Sequence, residues 1–274
     1  MEAAVPATSE ELFRDGKLRE AIAAQTAAVR AAPGEVNRRW FLVELLCFAE
    51  EWDRGDQLLD VISTQAEAMA AAVLRFRGLL RGEQTRRQVM REGRAPQMIG
   101  QSAPLLQPVA EALLSLREGD PATAAGKLAE AAAQAPPVAG TYDGTQSIDT
   151  FRDIDDVCAP FVEFITEGGD YHWVAVVDIS LLEVQPLQRP RDLIWRPSRL
   201  EVRDGPAGEV YLPALYVTDR AEIDDAIRLG RGTDWHETQG GPVRGVGQRT
   251  FLVGDDDIPI HELRRIEFGA GLGG

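Results

Sequence analysis

Three histidines, two cysteines and several aspartate runs are the residues of this chain best suited to chemistry. Their spacing argues against most of it. His172, His236 and His261 are far apart, and neither His-x-x-x-His nor Cys-x-x-Cys occurs, so no metal site is expected. Cys158 with a distant histidine could form a nucleophilic pair, but it lies among Val157, Phe161 and Val162 and reads as core. No Gly-x-Ser-x-Gly elbow is present. The glycine-rich stretch Gly240–Gly247 lacks the Lys-Ser/Thr ending of a phosphate loop and reads as a hairpin or surface loop. Asp153, Asp155 and Asp156 suit the N-terminus of a helix starting near Asp156, and Asp255–Asp257 suit a turn. No cofactor is expected.

The block Arg189-Pro190-Arg191-Asp192-Leu193-Ile194-Trp195-Arg196-Pro197 is more telling. Two prolines hold it extended. Arg191 and Asp192 can pair or pin a loop, and Trp195 is either a core plug or an interface anchor. With Trp173, these make a candidate partner-binding set: Trp173, Arg191, Asp192 and Trp195. One rival reading is an enzyme or small-ligand site around Tyr171, Trp173, Arg191 and Trp195, which would need a deep pocket with a shifted carboxylate or histidine; another is a general protein–protein scaffold.

The elements that must position these residues fall into two halves. Gly16 and Gly119 are each followed at offsets 5, 12 and 17 by Ala, Ala and Pro: Ala21, Ala28, Pro33 and Ala124, Ala131, Pro136. A partial copy, Glu50–Gly55, sits 34 residues after the first, with Trp52 for Leu18 and Gly55 for Ala21. That period is the one of a helix–turn–helix repeat. Glycine turns the chain, the small residues let paired helices approach, and proline ends the second helix. Helix pairs are expected over 8–32, 36–49 with 53–65, and 105–117 with 121–134. A long arginine-rich helix over 66–92 could be an anion or nucleic-acid patch, but with no nucleic-acid motif beside it a solvated face or a contact to the acidic second domain is the better reading. Composition changes at Ala135–Gly140, the candidate boundary between a helical-repeat domain (1–135) and a second domain (136–274). Beyond it, strands are expected at 171–177, 179–184, 199–202, 210–217, 249–253 and 264–268. Only two helical windows interrupt them, 156–167 and about 222–229. The fold class is α+β: all-α tetratricopeptide-like repeats, then a mostly antiparallel sheet or barrel.

Net charge is −15, with the acidic excess mostly after residue 135. That disfavours nucleic acid and anionic membrane as partners and suits a basic protein. There is no leader pattern and no apolar run approaching a membrane span, so a cytoplasmic protein is expected.

Four stretches carry a family likeness: Asp15–Ala28; Leu45–Arg54; Tyr171–Val174 with Arg191–Pro197; and Gly247-Gln248-Arg249. The chain resembles the ImpE/TagJ (SciE-type) accessory proteins of type VI secretion systems over nearly its whole length. It departs from them at Gly55, where alanine is usual, and at His172, where a second aromatic is expected. The resemblance implies a non-enzymatic adaptor. Its partners would be the N-terminal helix of the contractile sheath's small subunit and ClpV, the ATPase that disassembles the sheath.

Overall fold

The computed structural model describes residues 7–220 and 222–269. The extreme N-terminus, read above for a leader, lies outside them. Helices come first: α1 (Ser9–Arg14), α2 (Leu18–Ala31), α3 (Val36–Phe48), α4 (Trp52–Gln65), α5 (Ala70–Arg87), α6 (Gln107–Arg117) and α7 (Pro121–Gln134). Thr8 opens α1 with a reciprocal capping box to Glu11. Gly16 and Gly119 take φ of +80° and +78°, as the repeat spacing requires. At the matching place in the middle copy stands Glu50, also left-handed at φ +61°. A side chain there costs about 1–2 kcal/mol. It is held by Arg87, whose Nη1 lies 2.5 Å from its carboxylate. Burial would raise the Glu50 pKa, but Arg87, Arg91 and Arg228 outweigh it and keep the group below its ordinary value.

Helix α5 continues as a π-turn over Gln88–Glu92 and stops at left-handed Gly93. The chain then supplies a short strand, β1 (Gln97–Ile99), before α6. Strands β2 (Gly140–Tyr142), β3 (Gln146–Ile148), β4 (Phe151–Asp153), β5 (Phe161–Thr166), β6 (Tyr171–Ala175), β7 (Ile179–Val184), β8 (Trp195–Val202) and β9 (Ala207–Pro213) follow. A short helix, α8 (Asp225–Arg228), precedes β10 (Thr233–Glu237), β11 (Val243–Gly247), β12 (Thr250–Val253), β13 (Asp256–Pro259) and β14 (Arg265–Phe268). The main sheet has nine strands in the order β1-β6-β5-β9-β8-β7-β14-β2-β3. Its pairs are antiparallel except β1 with β6, so a strand from the helical half forms one edge. β13-β12-β4 and the β10–β11 hairpin, whose turn holds Gly240 and Gly241, are separate small sheets.

The expected helix over 156–167 is not formed. Residues 154–160 are a turn, closed by Asp155 Oδ1 accepting from the amides of Val157 (2.9 Å) and Cys158 (3.2 Å). β5 follows. Pro160 cannot donate within a helix, and Phe161–Ile165 is buried on both faces of the sheet. Phe161 and Ile165 face the helices, while Val162 and Phe164 face a second core shared with β4 and β12. The main sheet is thus a middle layer, with helices on one face and the three-stranded sheet on the other.

Helix α5 crosses that sheet at short range. A Cβ on Gly82 would run into Ile165, and one on Gly78 would come 3.0 Å from the Glu167 carbonyl. Gly55 is different, since its Cβ would meet only Val43 at 3.8 Å, an ordinary contact. Gly82→Ala is expected to destabilise by about 1–3 kcal/mol through overpacking despite alanine's better helix propensity. Gly55→Ala is expected to stabilise by about 0.5–1 kcal/mol. Urea unfolding of the two variants tests both, and equal signs would refute the close approach of α5.

Candidate functional site

The structure places the four predicted partner-binding residues inside the protein. Trp173 and Trp195 are fully buried, and Asp192 and Arg191 nearly so. The Trp195 ring centroid lies 5.9 Å from those of both Trp52 and Phe76, and Phe76 stands edge-on to Trp40 at 5.5 Å. The Arg191 guanidinium lies 5.4 Å above Phe76. Asp192 accepts from the amides of Gln188 and Arg189, both at 3.0 Å, and so fixes the turn that delivers Trp195. The face that the repeat helices turn toward the sheet is therefore filled by residues 190–195 of the same chain. A partner helix has no vacancy there.

Beneath Trp195 lies a buried ionic network. Glu163, in the middle of β5, accepts from Arg86 Nε and Nη2, both at 2.8 Å, and from Arg249 and Tyr171. Tyr171 in turn receives the Trp173 indole N–H. Arg86 also reaches Glu83 (3.2 Å) and the Leu215 carbonyl (2.8 Å), and Glu83 accepts from Trp195 Nε1 at 3.2 Å. Arg249 pairs with Asp153 at 3.4 Å, and Asp155 pairs with Arg244 at 2.9 Å. Burial pushes Glu163 toward neutrality, but Arg86 and Arg249 win and hold it at about 2. The arginine-rich helix thus makes contacts to the acidic second half, as one of its three readings had it. Arg91 likewise pairs with Asp219 at 2.8 Å.

Asp153 goes the other way. Burial raises it to about 7, Arg249 opposes, and the adjacent Asp155 charge adds to the rise. Between the ordinary 3.8 and about 7 the folded protein keeps a proton that the unfolded chain has released. Its contribution to stability therefore falls as pH rises through that window. Asp153→Asn is expected to flatten the decline. Urea midpoints from pH 4 to 8 check this, and an unchanged slope would contradict it.

These groups are, Arg244 apart, shielded from solvent and tied to one another, an arrangement that braces the fold. Cys158 is buried on a turn, and burial raises its thiol well above the ordinary value. His172 stacks on Phe164 at 5.3 Å. Among the described residues, no three of His, Cys, Asp and Glu come close enough to hold a metal ion. Nor, among them, is any helix long and apolar enough to cross a membrane.

An open, largely apolar groove lies elsewhere. A groove of about 680 Å³ runs between α7 and the sheet half. One wall is the stripe Ala125, Ala129, Ala132, at i, i+4 and i+7 on one helix face, with Leu128 beside it. Phe151, Pro160 and Val176 line the other side, and Asp149, Arg152 and Asp156 supply its charged residues. Small residues let another backbone come close, and the apolar lining gives it area to bury.

The comparisons with known proteins agree with the likeness read from the sequence. A family model described as ImpE protein matches residues 145–267. Over 268 residues the chain is 31% identical to the type VI secretion system accessory component TagJ of Pseudomonas aeruginosa, covering 98% of this chain and 93% of that protein. The chain belongs to the ImpE/TagJ family. The crystal structure of protein VPA1032 from Vibrio parahaemolyticus has the same fold, with a TM-score of 0.89 at 24% identity over 96% of this chain and 98% of that one.

In this ImpE/TagJ member, two of the four stretches that carry the likeness converge on Glu163. Tyr171 and Trp173 reach it from β6, Arg249 from just before β12, and Trp195 through Glu83 and Arg86. Those blocks are legible in the sequence, and Arg86 counts there as one arginine of the basic helix, but nothing points to Glu163, 77 residues away. The α7 groove was missed as well. Its only sequence signal was the repeat's own alanine pattern, which also marks the helix–helix contact through Ala124 and Ala131.

Proposed function

We propose that this ImpE/TagJ protein is a non-enzymatic, cytoplasmic accessory component of a type VI secretion system. In this reading it binds the N-terminal helix of the sheath small subunit and links the sheath to the ClpV ATPase. Residues 1–135 and 136–274 are its two working parts, and the partner helix lies along α7. The observation that carries the docking site is the α7 groove, which is apolar, lined by small residues and open, whereas the inward repeat face is filled by Trp195 and Arg191. The relationship to TagJ supports the pathway. Trp173, Arg191, Asp192 and Trp195 then serve binding indirectly, by fixing the two halves that form the groove walls.

The test is calorimetric titration of the full chain with the sheath small subunit, with and without its N-terminal helix. Helix-dependent binding supports the adaptor. Equal binding of both forms, or none, refutes the helix assignment. A parallel titration with ClpV decides the second partner separately.

A further inference from the structure

The buried nitrogens of Arg196 and His261 are not accounted for by anything above. Arg196, on β8, is only 3% exposed, yet its Nε and Nη1 have no hydrogen-bond partner. Its Nη2 donates to the His261 carbonyl at 3.3 Å. Both ring nitrogens of His261 are buried without partners as well. A buried guanidinium short of acceptors is costly, and folded proteins normally fill such a place. Each of the other arginines at this location has a carboxylate: Arg264 pairs with Asp143 at 3.0 Å and Arg265 with Glu183 at 3.3 Å. The acid nearest in sequence, Asp192, gives its Oδ2 to the amides of Gln188 and Arg189. Arg196 and His261 both line one open cleft of about 980 Å³ between the segment after β7 and the segment before β14.

We propose that this cleft binds a small oxyanion, with the Arg196 guanidinium as its principal ligand and His261 as a neutral N–H donor. Arginine is the side chain suited to phosphate and carboxylate. Burial, and then the Arg196 charge, lower the His261 pKa to about 4, so its ring is neutral near pH 7 and offers one N–H. The site is separate from the α7 groove and shares no lining residue with it. The same chemistry serves a free phosphate or a carboxylate, and the two are distinguished by separate arms.

The full-length protein is titrated with inorganic phosphate and with acetate, each against sodium chloride at equal ionic strength, following thermal unfolding. The expected result is a saturable rise in Tm of about 5 °C with at least one of the two anions and none with chloride. Arg196→Met should abolish the rise, whereas Arg264→Gln, whose guanidinium already has a carboxylate, should keep it. Wild-type crystals soaked in selenate give a readout independent of variant folding, with an anomalous peak expected beside Arg196. Equal responses to chloride and both oxyanions, a rise retained in Arg196→Met, or no selenate peak in the cleft would each overturn the proposal.

Discussion

Glu163→Ala is expected to cost about 3–5 kcal/mol of folding free energy, because it leaves two guanidinium groups buried without their shared counter-charge. Arg86 and Arg249 are both fully buried and both point at this carboxylate. The Tyr171 hydroxyl loses its acceptor at the same time. Equilibrium urea unfolding reads the cost directly, and a drop in Tm of roughly 10 °C should accompany it in a chain of this size. A loss under about 1 kcal/mol would mean that water reaches the network and that it does not brace the fold. The acid limb supplies a second check. Glu163 is held at about 2 against an ordinary 4.5, so its contribution is present above 4.5 and is lost as pH falls through about 2. In Glu163→Ala that acid loss should be absent.

Ala129→Arg is expected to weaken binding of the sheath helix by at least about 2 kcal/mol, some thirtyfold, while leaving Tm within about 2 °C of the parent. Ala129 is exposed on the groove-facing stripe of α7, so a large side chain there meets the incoming helix rather than the core. Trp195→Ala is the useful contrast. It should lower stability by about 3–5 kcal/mol and impair binding only as far as the groove walls shift. If Ala129→Arg binds as well as the parent while the parent binds the helix, the docking surface is not this groove, though the adaptor role survives. If Ala129→Arg also lowers Tm substantially, α7 is packed differently from the description above.

The helical half could be read from sequence because its signals are local. Gly16, Ala21, Ala28 and Pro33 act within one hairpin, and their copies at 119–136 act in the same way. Glu50 shows the limit of that reading: a left-handed turn without glycine is held by Arg87, which is remote in sequence. Residues 156–167 misled for a physical reason. Val157, Cys158, Phe161, Val162 and Ile165 fit a helical stripe, and the aspartates before them suit a helix N-terminus. A strand buried on both faces shows no alternation, and only Pro160 argued against a helix. The short strands β1 to β4, β10, β11 and β13 give even less local signal. The burial of Trp173, Arg191, Asp192 and Trp195 was open in the sequence, because a tryptophan that anchors an interface and one that fills a core look alike until their neighbours are known. The α7 groove needed α7 brought against residues 149–160 and 176–177, which no spacing reveals.

The place of β14 between β7 and β2 has a consequence for synthesis. Without residues 265–268 the main sheet is two pieces: six strands ending at β7, and the β2–β3 hairpin. Each would show the other an unpaired backbone edge. A nascent chain can form its helix pairs early from neighbouring residues, but it cannot join these pieces until β14 has left the ribosome. Until then the open edges are where a chaperone would hold the chain and where two half-made copies would stick together.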